Sequence, residues 1–203
     1  TNPGFLYQQN TMRDALVAGI TLNIFNKHSD RIAMANIAQV VNVLQAMLLT
    51  EGSKILKTPT YDVFRMYVPH QGAELVESHT DETTCVENGR TVKGPAVHYN
   101  DITIPALSES VSVTEQNGQK LLTITLANTS LCDTLSVELE LPMQYSFAGE
   151  ASIAMLDGEV HAYNTFEDPD HVRAYETEEE WNGNIQTLTL PVNSVCRVNC
   201  YVC

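Results

Sequence analysis

The chain has 203 residues, of which 43% are hydrophobic, enough to bury the core of one large domain, or of a small domain joined to part of another. Its 25 acidic residues outnumber its 11 basic residues, which gives a formal net charge of -14. This charge disfavours nucleic acid and anionic membrane surfaces as partners, because both are polyanions that repel such a protein. The sequence also lacks the ~20 consecutive apolar residues of a membrane span.

The first predicted element is an amphipathic helix near the start of the chain. Asn10 or Thr11 can cap its N-terminus. Asp14 lies near the positive end of the helix, and Lys27 and His28 lie near its negative end. The apolar residues that recur at helical spacing are Met12, Leu16, Ile20 and Ile24.

A short apolar segment and a second helix follow. The segment Ile32 to Gln39 is apolar at both odd and even positions, which is typical of a parallel strand that is covered on both faces. The second helix is predicted to begin after "KTPT", with Thr58 or Thr60 as its cap and Pro59 in its first turn, and to end at Pro69. Because a doubly covered strand needs neighbours, we expect this sequence to be the C-terminal piece of a longer protein.

From Glu74 onward the hydrophobic period changes to two. Leu122, Ile124 and Leu126 alternate with threonines, and the same alternation continues at Leu135, Val137, Leu139 and Leu141. The pairs "NG" at 117–118 and "DG" at 157–158 predict hairpin turns. Several strands with one dry and one wet face predict an antiparallel, jelly-roll-like β-sandwich.

The five cysteines are an odd number whose spacings do not resemble a disulfide framework. The spacing of the last three could suit a zinc ion, but their strand-like alternation argues against a metal site. In the closing "VCRVNCYVC", Cys196, Val198, Cys200 and Val202 share one parity. This alternation predicts a last strand whose cysteines act as small apolar residues in the core. Free thiols favour a reducing, cytoplasmic environment, although the sequence leaves the compartment undecided.

Four motifs carry a resemblance to a known family. They are "DALVAG", "KHSDRI", "NIAQVVNV" and "PTYDVFRMY", and they occur in this order within residues 6–73. This region resembles the last βα units of the glycoside hydrolase family 51 α-L-arabinofuranosidases. Further along, "YNTFEDPDHV" followed by "LTLPVNSV" is similar to the C-terminal sandwich of that family.

The resemblance implies a fold of class α/β plus all-β. Residues 1–73 would form the last βα units of a (β/α)8 TIM barrel, including strand 8, and residues 74–203 the C-terminal sandwich. It also implies a retaining exo-glycosidase that removes terminal α-L-arabinofuranosyl groups from arabinan or arabinoxylan oligosaccharides. Such an enzyme uses two carboxyl groups and neither cofactor nor metal. By the resemblance both catalytic glutamates lie upstream of residue 1, so we expect this chain alone to be inactive.

One residue of the chain is expected to touch the substrate. By the resemblance, Gln39 at the end of strand 8 is the glutamine that hydrogen-bonds the arabinofuranose, and an amide can both donate to and accept from a sugar. Asn42 is expected to be a loop amide that binds backbone. The expected partner is an arabinofuranose-containing oligosaccharide, and the intact enzyme is expected to be a homo-oligomer.

An alternative hypothesis is a non-catalytic sandwich that binds carbohydrate or mediates oligomerisation. Trp181 and Tyr175 could stack on a sugar, but they are expected instead to seal the edge of the sandwich or an interface. The acidic run "ETEEEW" at 176–181 is expected to be a solvated loop. The six histidines show no metal-binding pairing.

Overall fold

The structure is a computed structural model that describes residues 10–38, 40–80, 84–87, 90–93, 96–99 and 102–203. In chain order its elements are α1 (Met12–Lys27), β1 (Leu48–Glu51), β2 (Lys54–Lys57), α2 (Pro59–Tyr67), a 3-10 turn (Val68–His70), β3 (Glu74–Val76), β4 (Thr84–Glu87), β5 (Arg90–Lys93), β6 (Ala96–Tyr99), β7 (Ile102–Pro105), β8 (Leu107–Gln116), β9 (Gln119–Asn128), β10 (Leu135–Glu140), β11 (Phe147–Asp157), β12 (Tyr175–Gly183), β13 (Ile185–Leu190) and β14 (Ser194–Val202).

Both predicted helices are confirmed. Thr11 is the N-cap of α1, and the Asp14 carboxylate accepts hydrogen bonds from the backbone N–H of Thr11 at 2.8 Å and from its hydroxyl at 3.1 Å. Thr58 is the N-cap of α2, with Pro59 as its first residue. Proline is favoured there because its missing N–H would lack an intrahelical acceptor in any case.

The described residues do not show the predicted strand between the helices. Residues 32–38 form no strand, and Met34 is 74% exposed. A parallel strand needs hydrogen-bonded neighbours on its flanks, and the described residues place none beside this segment. Gln39 lies outside the described residues. Beyond it, β1 and β2 form a short antiparallel hairpin whose two-residue turn is Gly52-Ser53, a pair typical of tight hairpin turns.

The second half of the chain contains an antiparallel sheet of six strands in the order β12-β11-β14-β9-β8-β3. A two-stranded layer, β10 with β13, packs on one face of this sheet and closes an apolar core with it. Two further hairpins join β4 to β5 and β6 to β7. These layers agree with the predicted β-sandwich, whereas the described residues do not show a (β/α)8 barrel.

The core between the two layers follows the alternation in the sequence. The buried residues of β9 are Leu122, Ile124 and Leu126, as predicted, and β14 buries Cys196, Val198 and Cys200 in the same core. The last strand is therefore confirmed as a core strand, paired with β9 on one side and with β11 on the other. Its two thiols lie in the apolar interior.

Both helices pack on the opposite face of the six-stranded sheet. A second apolar core joins helical residues such as Met12, Leu16 and Val63 to Leu156 and Val195 of the sheet. Gly19 permits a close approach here, because a Cβ at this position would lie 3.2 Å from Cγ2 of Val195. The sheet is thus covered by helices on one face and by strands on the other.

Two predictions about turns and loops need correction. The "NG" hairpin is confirmed, since Asn117 (φ 53°) and Gly118 (φ 78°) form the turn between β8 and β9. The "DG" hairpin is wrong, because Asp157 ends β11 and the next strand begins only at Tyr175. The acidic run is also not a loop but lies in β12, an edge strand of the sheet. Charges on an edge strand oppose pairing with another chain.

Candidate functional site

Backbone hydrogen bonds link the residues directly after Gln39 to Leu48, the first residue of β1. The N–H of Leu48 donates to the carbonyl of Val40 at 3.0 Å, and the N–H of Asn42 donates to the carbonyl of Leu48 at 3.0 Å. Val41 forms an isolated parallel bridge with Leu48. These contacts fix the backbone from residue 40 onward, so the first described residue after Gln39 is held by β1.

Asn42 makes the tightest side-chain contacts of this segment. Its Nδ2 donates to Oγ1 of Thr50 at 2.7 Å, and its Oδ1 accepts from the backbone N–H of Thr50 at 2.7 Å. Its φ of 55° lies in the left-handed region, which asparagine tolerates better than most residues. The prediction that Asn42 is a loop amide that binds backbone is confirmed, because it accepts from the N–H of Thr50 in β1.

Two further contacts connect the same segment to the helices. Nε2 of Gln45 donates to the backbone carbonyl of Asp14 in α1 at 3.0 Å. Oγ1 of Thr58, the cap of α2, donates to the carbonyl of Ala46 at 2.8 Å. Gln45 and Ala46 therefore connect this segment to α1 and to the cap of α2, respectively.

A buried polar cluster joins the helices to the sheet. At its centre, Oδ1 of Asn23 in α1 accepts hydrogen bonds from the hydroxyls of Tyr67 at 2.7 Å, Ser110 at 3.0 Å and Thr125 at 2.8 Å. Its Nδ2 donates to Ser108 at 3.2 Å. Asn23 is only 1% exposed, so each of these groups depends on the others for its hydrogen bonds.

His70 extends this cluster along the sheet. Its Nδ1 lies 2.7 Å from Oγ of Ser112, and its Nε2 lies 3.0 Å from Oγ1 of Thr125. Burial lowers the pKa of His70 to about 4, because the imidazolium loses its hydration there. Burial likewise raises the pKa of Tyr67. Both side chains are therefore neutral at physiological pH.

No motif in the sequence marks this cluster. The alternation of apolar residues with Thr123 and Thr125 predicts that the threonines face water, whereas Thr123 is 1% exposed and Thr125 fully buried. The one signal in the sequence is the run of serines at 108, 110 and 112 on β8, which face the helices.

Trp181 is not available to bind a sugar. The residue is 2% exposed, its ring meets Phe147 edge to face at 5.2 Å, and its Nε1 donates to Glu179 at 3.1 Å. The interpretation that it seals the sandwich is confirmed. Tyr175 is 49% exposed, so it is the one member of the proposed aromatic pair that faces solvent.

The acidic strand β12 contributes an ion pair to the junction with α2. Oε1 of Glu176 lies 3.5 Å from a guanidinium nitrogen of Arg65 and 3.8 Å from one of Arg197. Among the described residues, no group of three or more histidine, cysteine, aspartate or glutamate side chains could hold a metal ion. Within the same residues, no helix has the length and apolarity needed to cross a membrane.

Comparison with known proteins connects this architecture to one enzyme family. A family profile described as "Alpha-L-arabinofuranosidase C-terminal domain" matches residues 1–194. A protein of Bacteroides ovatus described as an intracellular exo-α-L-arabinofuranosidase is 35% identical over an alignment of 203 positions. The alignment covers 96% of this chain and 35% of the relative.

Solved structures give the same relationship. The crystal structure of the GH51 arabinofuranosidase from Xanthomonas axonopodis pv. citri is 34% identical with a TM-score of 0.78, covering 98% of this chain and 38% of that one. The α-L-arabinofuranosidase of Thermotoga maritima, solved with arabinose, is 23% identical with a TM-score of 0.75, covering 97% and 39% respectively, and at this identity it shows the fold alone. The chain thus spans little more than a third of each relative's length.

Proposed function

The chain belongs to the glycoside hydrolase family 51 α-L-arabinofuranosidases, whose C-terminal domain it matches, and from this premise we propose that it is the C-terminal portion of such an enzyme. The enzyme hydrolyses terminal α-L-arabinofuranosyl residues of arabinan or arabinoxylan oligosaccharides with retention of configuration. The observation that carries the proposal is the 35% identity to an exo-α-L-arabinofuranosidase across 96% of the chain.

In this proposal the chain supplies scaffold and a substrate contact rather than the bond-breaking groups. Retention requires a nucleophilic and an acid/base carboxyl about 5–5.5 Å apart. Both glutamates belong to residues outside these 203, within the longer protein that the relatives' lengths suggest. Residues 1–73 then complete a (β/α)8 barrel, and residues 74–203 form the sandwich that supports it.

The exposed apolar segment before β1 supports this division. Met34, Val40 and Val41 are 74%, 49% and 41% exposed, which is unusual for consecutive parts of one short segment. As barrel strand 8 and the residues directly after it, this segment would be covered by neighbouring strands and helices. Gln39, the polar residue at the end of that strand, would then face the substrate on the C-terminal side of the barrel.

Two assays on p-nitrophenyl α-L-arabinofuranoside test the proposal. The 203-residue chain is expected to show no turnover. The intact gene product is expected to release nitrophenol, and NMR is expected to show that the arabinose formed first has the retained anomeric configuration. Turnover by the 203-residue chain would contradict the placement of the carboxylates. An inactive intact product would contradict the activity itself.

A substitution tests the role of Gln39. In the intact enzyme, Gln39→Ala is expected to lower kcat/KM by on the order of tenfold or more, because a hydrogen bond to the sugar is lost. Gln71→Ala is the matched control, since Gln71 is exposed and its backbone alone is hydrogen-bonded. Equal kcat/KM for both variants would exclude the substrate contact.

Compartment and assembly are proposed on the same premise. The Bacteroides ovatus relative is described as intracellular, and we place this protein in the cytoplasm by analogy. The buried thiols of Cys196 and Cys200 are compatible with that placement. We further propose that the intact enzyme is a homo-oligomer in which the sandwich stabilises the barrel, and light scattering of the purified product tests the assembly.

A further inference from the structure

We propose that the sandwich binds a sugar unit of the oligosaccharide substrate, other than the one that is cleaved, in a pocket at one end of the six-stranded sheet. Three connections form this pocket: the β9–β10 turn, the start of the β11–β12 loop and the β13–β14 turn. The inference rests on the proposed function, because that function supplies the class of ligand. The pocket itself is lined by residues that the structure describes.

The size and walls of the pocket are suitable for a small organic ligand. Its volume of about 420 Å³ lies within the roughly 300–1,000 Å³ typical of small-molecule sites. Aliphatic side chains of Leu131, Val160 and Val192 line it, and Leu131 is 63% exposed. Such walls pack against the C–H surface of a ligand, whereas a bare metal ion requires a shell of oxygen atoms.

A buried amide oxygen offers the first polar contact. Asn193 lines the pocket and is only 6% exposed. Its backbone N–H donates to the carbonyl of Ser130 at 3.2 Å, whereas no described residue donates a hydrogen bond to its Oδ1. A buried acceptor without a donor is costly and uncommon in folded proteins. A hydroxyl group of a ligand would supply the missing donor.

Two carboxylates extend this set of acceptors. Asp157 ends β11, Glu159 follows two residues later, and both line the same pocket. Oε2 of Glu159 accepts from the backbone N–H of His161 at 2.8 Å, and a carboxylate can accept several further hydrogen bonds. The pocket therefore presents acceptors, so its ligand must bring donors. Saccharide hydroxyls are such donors, and they are carried on a C–H framework that the aliphatic walls can contact.

An exposed aromatic ring lies beside Asp157. Tyr175 pairs with Met155 across β11 and β12, and Asp157 is two residues beyond Met155 on the same face of the sheet. Diagonal neighbours of this kind are within reach of an aromatic side chain. Burial and the charge of Asp157 raise the pKa of Tyr175, which agrees with this proximity. Because Tyr175 is 49% exposed, its ring is available to stack on a sugar next to the pocket.

The pocket also lies at the end of the helical layer where α1 begins. The carbonyl of Val160, which lines the pocket, accepts from the N–H of Arg13 at 2.9 Å, and the carbonyl of Ala162 accepts from the N–H of Met12 at 2.9 Å. In a (β/α)8 barrel each helix begins on the face where the preceding strand ends, and this face carries the active site. Under the proposed function, the pocket is therefore on the side of the enzyme that binds the oligosaccharide.

Kinetics of the intact enzyme on a long and a short substrate test the pocket. Linear arabinopentaose offers further sugars to it, whereas p-nitrophenyl α-L-arabinofuranoside offers none. Asn193→Gly removes the amide oxygen and tolerates the φ of 50°, and Asn117→Gly, at a φ of 53° in the exposed β8–β9 turn, is its matched control. Leu131→Ala shortens one wall, and Met143→Ala is its control, because Met143 is 90% exposed and does not line the pocket.

We expect Asn193→Gly and Leu131→Ala each to raise the ratio of the KM for arabinopentaose to the KM for the nitrophenyl substrate by about fivefold or more. The two control variants should leave this ratio unchanged. A loss of folded enzyme does not alter the ratio, because both KM values are measured on the same preparation. A wild-type ratio in both pocket variants would overturn the proposal.

Affinity electrophoresis of the intact protein on arabinan separates a failure of the pocket from a failure of the proposed function. Asn193→Gly and Leu131→Ala should reduce the retention, and the two controls should not. If the intact protein is inactive on the nitrophenyl substrate, the proposed function fails, and the change in retention still decides on the pocket. A melting temperature that rises with CaCl2, together with wild-type retention of both pocket variants, would identify a cation site and overturn the saccharide assignment.

Discussion

Replacing Asn23 by alanine is expected to be among the most destabilising changes in the chain. The side chain accepts three hydrogen bonds from hydroxyls and donates one, and it is 1% exposed. Its removal leaves those hydroxyls with fewer partners between α1 and the sheet. Buried hydroxyls without partners are costly because no water replaces the lost acceptor.

The magnitude follows from what each partner retains. Tyr67 keeps the carbonyl of Gly19 at 3.0 Å, and Ser110 and Thr125 keep each other at 2.8 Å. None of the three hydroxyls is therefore fully orphaned, so the net value of about 1 kcal/mol per hydrogen bond applies. Four lost bonds give a decrease in the free energy of unfolding of about 4 kcal/mol, a large share of the 5–15 kcal/mol typical of a domain.

Urea unfolding followed by circular dichroism measures the change, as a shift in midpoint at constant m-value. Asn26→Ala is the matched control one turn later in α1. Asn26 is only partly buried, and its side chain makes a single hydrogen bond, to Oγ of Ser110 at 3.0 Å. We expect this control to lose about 1 kcal/mol or less. If Asn23→Ala lowers the free energy of unfolding no more than Asn26→Ala does, the cluster does not hold the helices on the sheet.

Four further outcomes are expected. Trp181→Ala should reduce stability by about 3–5 kcal/mol, because a large buried ring is lost, and affinity electrophoresis should show that it leaves retention on arabinan unchanged. Asn128→Asp should lower the free energy of unfolding in urea by about 3 kcal/mol or more, since the two N–H groups on Nδ2 of Asn128 share three backbone carbonyl acceptors that an aspartate oxygen would repel. The folded-state pKa of His70 lies near 4, below its usual 6.5, so stability should be full above pH 6.5 and decrease by up to about 3 kcal/mol as the pH falls towards 4, a slope that His70→Gln should lack. Iodoacetamide should label exposed Cys132 in the native protein while Cys196 stays protected, because it is buried and its pKa is raised to about 12; equal labelling would contradict its place in the core.

The elements that the sequence predicts correctly are those that a local sequence pattern indicates. The caps at Thr11 and Thr58 lie next to their helices, and Pro59 restricts the backbone where α2 begins. The alternation around Ile124 and Val198 reflects one face of a strand against one core. In each case the signal and the structure it predicts lie within a few residues of each other.

The failures concern features decided by distant neighbours. Residues 32–38 have the composition of a buried strand, yet a strand forms only beside other strands. The acidic run has the composition of a loop, but β11 pairs with it along its length. Gln39 itself is indicated by the family resemblance and not by composition or spacing, since a strand-end amide has many uses.

The same limit explains why the polar cluster is hidden in the sequence. Thr125 and Ser110 alternate with apolar residues, as expected for a strand with a wet face. Whether such a face meets water or another element depends on the position of α1, more than eighty residues earlier in the chain. A hydroxyl is compatible with both surroundings, because it can exchange a water for a protein partner at little net cost.

A continuous path of contacts links the sandwich to the segment after Gln39. The sheet holds α1 through Asn23 and holds the turn after α2 through His70. The helical layer in turn holds residues 40–58, through Gln45 on α1 and Thr58 at the start of α2. Under the proposed function, the sandwich therefore contributes to catalysis without touching the cleaved sugar, because it fixes the helices that hold residues 40–58. This assigns the sandwich a positioning role that a carbohydrate-binding module would not need. Asn23→Ala in the intact enzyme should then raise the KM of the protein that still folds, in addition to lowering the yield of folded protein.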